Sequence, residues 1–221
     1  MDFKLSEEQN LLIKSTKSFV KNELMQHEGL LEKTDNLPKE LYQEIKKKSQ
    51  ELGLYACNMP TEYGGGGLNA FDLTLIEKEL GHTSLALAEI AWRPQNILMA
   101  CTGKLIDEYL KPATTGERKD CIAMTEPEAG SDLRGMKTNA VQSGDDWTIN
   151  GTKHFISNAH ISDFVVLFAS TGKDEKGRNL LSCFLVDLDL PGVEVAKGYD
   201  CVSHRGYVNN IIHFNDCKIP T

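Results

Sequence analysis

Residues 120–158 read DCIAMTEPEAGSDLRGMKTNAVQSGDDWTINGTKHFISN, and the period of the chain changes within them. Short runs rich in Val, Ile, Phe and Trp alternate here with Gly, Asn and Asp, the pattern of strands and turns. Candidate strands are 121–125, 138–143, 147–150 and 153–157. Downstream the same pattern continues at 164–169, 182–186, 193–196 and 210–214. Their close spacing predicts antiparallel pairing in a barrel or sandwich. Asn150-Gly151 reads as a hairpin turn, and the polar stretch from Gly172 to Asn179 as an exposed loop.

Upstream of Asp120 the apolar residues recur at helical spacing. Ser6 followed by Gln9 is a capping-box pair, after which Leu12, Thr16, Phe19, Val20 and Leu24 share one face. A second helix is expected from Pro38 to Gly53, with Leu41 and Ile45 as its apolar stripe. A third begins near Asn69 with Leu73, Ile76 and Leu80. A fourth starts at Ser84, where Leu85 to Ala88 and Ile90-Ala91-Trp92 are apolar nearly all round and call for burial on several sides. Pro94 interrupts it. A short fifth spans Lys104 to Leu110. Helices first and strands second define an α+β chain: an all-α helical domain at 1–119, then an antiparallel β-barrel or sandwich domain at 120–221.

Composition narrows the function. The chain has 221 residues and carries 24 Lys and Arg against 32 Asp and Glu, a formal charge of −8. A basic footprint for nucleic acid is not expected from that balance. No apolar run reaches the ~18–20 residues of a membrane-spanning helix. The first five residues resemble neither a secretory signal nor a transit peptide. The six cysteines are scattered without a C-x-x-C pair, and the six histidines form no ligand cluster. Reduced thiols, no metal site and a cytoplasmic location are the expectations.

Four stretches carry candidate chemistry. Pro60 to Leu68 contains four successive glycines but neither a Walker lysine nor a G-x-G-x-x-G pattern, so it reads as a tight interhelical turn. Met124 to Asp132 follows a strand and offers the hydroxyls of Thr125 and Ser131 beside Gly130, which allows close backbone approach. By itself it is also an ordinary acidic surface loop. Trp147 to Asn158 reads as a hairpin in which Phe155 belongs to the core and His154 faces solvent. Around His204-Arg205-Gly206, Arg205 is either an ion-pair partner or a phosphate contact.

Taken together and in order, these stretches resemble the acyl-CoA dehydrogenase family of flavoproteins over essentially the whole chain. Tyr63-Gly64-Gly65 is similar to the first-domain signature. Met124-Thr125-Glu126-Pro127 with Ala129-Gly130-Ser131-Asp132 is similar to the central one. Asn150-Gly151-x-Lys153-x-Phe155-Ile156-Ser157-Asn158 resembles the flavin-facing hairpin, and Phe214-x-Asp216-x-Lys218-Ile219-Pro220 the end of the β domain. The resemblance implies FAD, with Ile122, Met124 and Thr125 along the flavin ring, Phe155 and Ile156 against it, and Ser157 near N5. Gly130 and Ser131 stand where cofactor and thioester meet, with Ser131 also touching the CoA arm.

The resemblance further implies α,β-dehydrogenation of an acyl-CoA, with an electron-transfer flavoprotein or similar acceptor and a homo-oligomeric or heteromeric assembly. It places the catalytic glutamate in a C-terminal helical bundle beyond Thr221, so no catalytic base is expected in this chain. A non-catalytic partner subunit and a flavin oxidase or monooxygenase are the alternatives on the same scaffold. Three departures stand out. Ile122 occupies a position where an aromatic is common. Phe155 replaces a common Trp, keeping an apolar face but losing the indole N–H. Val202-Ser203-His204-Arg205 matches the family's Met-Gly-x-Arg only at Arg205.

Overall fold

The structure is a computed structural model that describes residues 4–91 and 93–220. Met1, Asp2 and Phe3, Trp92 of the expected fourth helix, and Thr221 lie outside the described residues. The chain divides into two compact units, one of Met1–Glu117 with Val202–Tyr207, the other of Arg118–Cys201 with Val208–Thr221.

The first unit is helical. Helix α1 (Glu7–Phe19) opens on the capping box: Gln9 N donates to Ser6 Oγ at 3.1 Å, and Ser6 N donates to Gln9 Oε1 at 3.0 Å. A π turn at Val20–Leu24 and a 3-10 turn at Met25–His27 lead into α2 (Glu28–Thr34). Helix α3 (Lys39–Glu51) follows Pro38, which sits at the N-cap, and α4 (Ala70–Leu80) is capped by Asn69. Their apolar stripes bury Phe19, Leu24, Leu31, Ile45, Ile76 and Leu87 in one core.

The expected fourth helix shrinks to α5 (Leu85–Ala88). Beyond it Ile90 N and Ala91 N donate to carbonyls three residues back, so the helix tightens and stops before Pro94. The fifth starts at Lys104 as expected, winds as a π turn over Ile106–Leu110 and continues past its expected end as α6 (Lys111–Thr115), closed by Gly116 at φ +78°. The glycine run is a tight turn folded back on residues 56–59. Gly66 N donates to Ala56 O and Gly67 N to Met59 O, and a Cβ on Gly66 would lie 2.8 Å from Cys57 Cα. Arg205 pairs with Asp35, Nη1 to Oδ2 at 3.5 Å, and Gly206 N donates to Asp35 Oδ1 at 2.7 Å. The ion-pair role is therefore the one the structure gives Arg205.

The second unit is a seven-stranded sheet: β1 (Asp120–Ala123), β2 (Asn139–Ser143), β3 (Asp146–Ser157), β4 (Phe164–Lys173), β5 (Asn179–Asp187), β6 (Val193–Tyr199) and β7 (Asn209–Pro220). Pairings β2·β3, β3·β7, β4·β5 and β6·β7 are antiparallel, as expected. The sheet is nevertheless mixed, because β1 runs parallel to β4 and β2 meets β4 in parallel at Asn139 and Ser170. The long excursion between β1 and β4, through the β2–β3 hairpin, makes a parallel return possible.

The turn expected at Asn150-Gly151 is not there. Strand β3 runs straight through it, and the hairpin closes at Gly144-Asp145, between the paired Ser143 and Asp146. Asn150 instead binds across the ladder: Asn150 Nδ2 donates to Asp216 Oδ1 at 3.0 Å, and Asp216 N donates to Asn150 Oδ1 at 2.9 Å. The register shifts between Ile149 and Gly151, and a Cβ on Gly151 would run into Thr138. This glycine serves a bulge and a close approach.

Candidate functional site

The core of the sheet unit, with Cys121, Ala123, Ile149, Val165, Leu167, Ile212 and Phe214, fixes the inward parity of each strand. On β3 that parity runs Ile149, Gly151, Lys153 and would next bury Phe155. A bulge intervenes, as the β3·β7 register shifts between Lys153 and Ile156. One extra residue inverts which side chains face inward. Ile156 is 1% exposed in the core, whereas Phe155 is 54% exposed at φ +58°, a left-handed conformation rare for an aromatic residue. The expectation that Phe155 belongs to the core is thus overturned by the bulge.

Lys153, just before the bulge, is wholly buried and holds the neighbouring loop. Its Nζ donates to Glu126 Oε1 at 2.8 Å and to Met124 O at 3.0 Å. The Glu126 carboxylate also accepts Lys137 N at 2.5 Å and Thr138 N at 3.0 Å. Burial pushes the Glu126 carboxyl up, but the bonds from Lys153, Thr138 and Lys137 outweigh it and hold the group below its usual range. Burial lowers the Lys153 ammonium, and Glu126 opposes that shift. Neither residue stood out as a site residue in the sequence. The detectable signal was a lysine on an inward-facing strand position with a glutamate on the preceding loop.

His154 N donates to Thr125 O at 2.9 Å, which pins the end of β1 beside the bulge. Around this junction Ile122, Met124, Thr125 and Ser157 are half-buried. Gly130 and Ser131 lie exposed on the loop beyond the Glu126–Ala129 bridge. Ile156 gives its side chain to the core and leaves only main-chain groups for a ligand. His154 is half-buried, and an exposed hydrogen bond of 3.0 Å joins its Nδ1 to the Tyr199 hydroxyl. Tyr199 was not singled out in the sequence. It comes from β6 and stacks on Phe155, centroids 4.6 Å apart at 22°.

The second unit therefore brings the exposed Phe155 ring, the main chain at Thr125 and the half-buried Thr125 and Ser157 together around the bulge. That is the composition of a site for a flat, partly polar heterocycle. The family profile described as acyl-CoA dehydrogenase, N-terminal domain, matches residues 6–117, and that described as acyl-CoA dehydrogenase, middle domain, matches residues 121–217. The chain belongs to the acyl-CoA dehydrogenase family.

Among its relatives is the probable acyl-CoA dehydrogenase YngJ of Bacillus subtilis, 32% identical over 225 residues, covering 100% of this chain and 58% of that protein. The caffeyl-CoA reductase-Etf complex subunit CarC of Acetobacterium woodii is 32% identical, over 97% of this chain and 57% of that protein. A glutaryl-CoA dehydrogenase from Mycobacterium smegmatis in complex with FADH2 superposes with a TM-score of 0.84 at 26% identity, covering 98% of this chain and 54% of that one. The chain spans little more than half the length of these relatives.

Proposed function

We propose that the edge formed by Ile122, Met124, Thr125, Phe155, Ile156 main chain and Ser157 holds the isoalloxazine of FAD in an acyl-CoA dehydrogenase. The observation that carries this reading is the bulge that turns the Phe155 ring outward, with the Thr125 main chain bonded to the residue before it. An exposed aromatic at a strained backbone position needs a compensating role, and a stacking face for a planar ring is one. The FADH2-bound structural neighbour supports FAD as that ring.

FAD, when bound, supplies the hydride acceptor, so the protein's part is to bind, orient and exclude water. Phe155 offers its face to the ring. The hydroxyls of Thr125 and Ser157 flank it and tune it by hydrogen bonding. Gly130 and Ser131, exposed on the adjoining loop, stand where the thioester and its CoA arm approach. The reaction is α,β-dehydrogenation, in which a carboxylate takes the α-proton.

The two glutamates of the signature loop are not that base. Glu126 is buried in its pair with Lys153, and Glu128 pairs with Lys137 at the surface. An electron-transfer flavoprotein as acceptor is supported by the Etf-complex relative, and a homo-oligomeric or heteromeric assembly accompanies this reading.

The test is an absorbance scan of the natural full-length protein, then anaerobic titration with a panel of acyl-CoA thioesters. A flavin spectrum bleached by at least one saturated thioester is expected. A colourless protein that takes up no FAD contradicts the reading. Rapid reoxidation of the reduced flavin by oxygen would assign it to an oxidase instead.

A further inference from the structure

Phe155 has two faces, and the sheet covers one of them. Tyr199 lies against it in a near-parallel stack, with 4.6 Å between centroids, while Phe155 keeps 54% of its surface exposed. Two irregularities bring these rings together. On β3 the bulge between Lys153 and Ile156 swings Phe155 outward, and on β6 a register shift between Lys197 and Tyr199 does the same for Tyr199. Both shifts converge on one residue of the strand between them, since Asn209 of β7 pairs with Ser157 on one side and Tyr199 on the other. Gly198 makes the approach possible, because a Cβ there would collide with the Asn209 carbonyl. His154 closes the cluster, bonded to the Tyr199 hydroxyl at 3.0 Å and edge-on to Phe155 at 6.2 Å.

We propose that Tyr199 is a positioning residue for the flavin-facing ring: it backs Phe155, fixes the plane of that ring, and leaves the opposite face for the isoalloxazine. The inference rests on the flavin reading above and deepens it. Without a partner, an exposed phenyl ring at the tip of a bulge samples several rotamers, and a cofactor must then meet the cost of ordering it. The stack and the bond to His154 order it beforehand.

The experiment is FAD titration of the natural full-length apoprotein, read by quenching of flavin fluorescence, with Tyr199→Leu and Tyr199→Phe beside the wild type. Tyr199→Leu is expected to raise the FAD Kd roughly three- to fivefold, no more than the loss of the Phe155 ring itself. Tyr199→Phe keeps the stack and is expected to stay within about twofold of wild type. The apoprotein melting temperatures of the two variants should agree, which separates ring placement from fold stability.

The Phe155 ring protons supply a second readout that needs no cofactor. They should be shifted upfield by the Tyr199 ring in the wild type and in Tyr199→Phe, and not in Tyr199→Leu. If Tyr199→Leu does not fold, Tyr199→Thr, a good strand former, replaces it. A Leu variant that binds FAD as tightly as wild type, or a Phe variant no better than Leu, overturns this inference alone. A wild-type protein that takes up no FAD overturns the flavin reading and this inference with it.

Discussion

Lys153 and Glu126 form a buried ion pair, with further bonds from Lys153 to Met124 O and Met136 Sδ and to Glu126 from the main-chain N–H groups of Lys137 and Thr138. Removing one partner strands the other charge. Lys153→Met is therefore expected to cost about 3–5 kcal/mol, measured by urea unfolding, and adding Glu126→Gln should recover part of it. A single variant as stable as wild type would contradict the pairing.

The same site has a pH signature. The Glu126 carboxyl ionises more readily folded than unfolded, so below the ordinary carboxylate value of about 4 the unfolded chain binds more protons. Stability should fall as the pH drops through that value toward the lower folded one, and Glu126→Gln should flatten this slope in an acid titration of the unfolding midpoint. Phe155 does different work. Its side chain is half-exposed, so Phe155→Ala should leave the melting temperature nearly unchanged yet weaken FAD binding by about fivefold, the worth of an aromatic stack near 1 kcal/mol.

The strands and helices show how far local pattern reaches. The apolar runs fall on all seven strands but split β3 in two and stop short of the ends of β4, β5 and β7, while the Ser6 and Asn69 caps mark their helix starts because each satisfies orphan main-chain donors through a nearby side chain. What stayed illegible is set by neighbours distant in sequence. Asn150-Gly151 carries hairpin chemistry, yet Asp216 supplies a cross-strand partner and Thr138 crowds the glycine, so the strand continues. Phe155 has core parity until the bulge, which depends on β7 lying alongside. The buried partner of Lys153 sits 27 residues away.

Two predictions belong to this scale. Gly151→Ala should destabilise the β unit by about 1–3 kcal/mol, since its Cβ meets the Thr138 backbone. Ser6→Ala should cost about 1 kcal/mol by breaking the α1 capping box. Both are readable as shifts in the denaturation midpoint, and a neutral Gly151→Ala would show that the strand relaxes around the new methyl.

At the scale of the whole molecule, two units with separate cores carry the family's N-terminal and middle domains. The flavin reading assigns the cofactor's ring to an edge of the second unit, built from the end of β1 and the bulge of β3. Amide hydrogen exchange of the natural full-length protein with and without FAD tests that assignment most directly. FAD should slow exchange in the segments around 122–131 and 154–158 while leaving the exposed turn at Asp174–Gly177 unchanged. Protection that spares both segments, with FAD demonstrably bound, would contradict it.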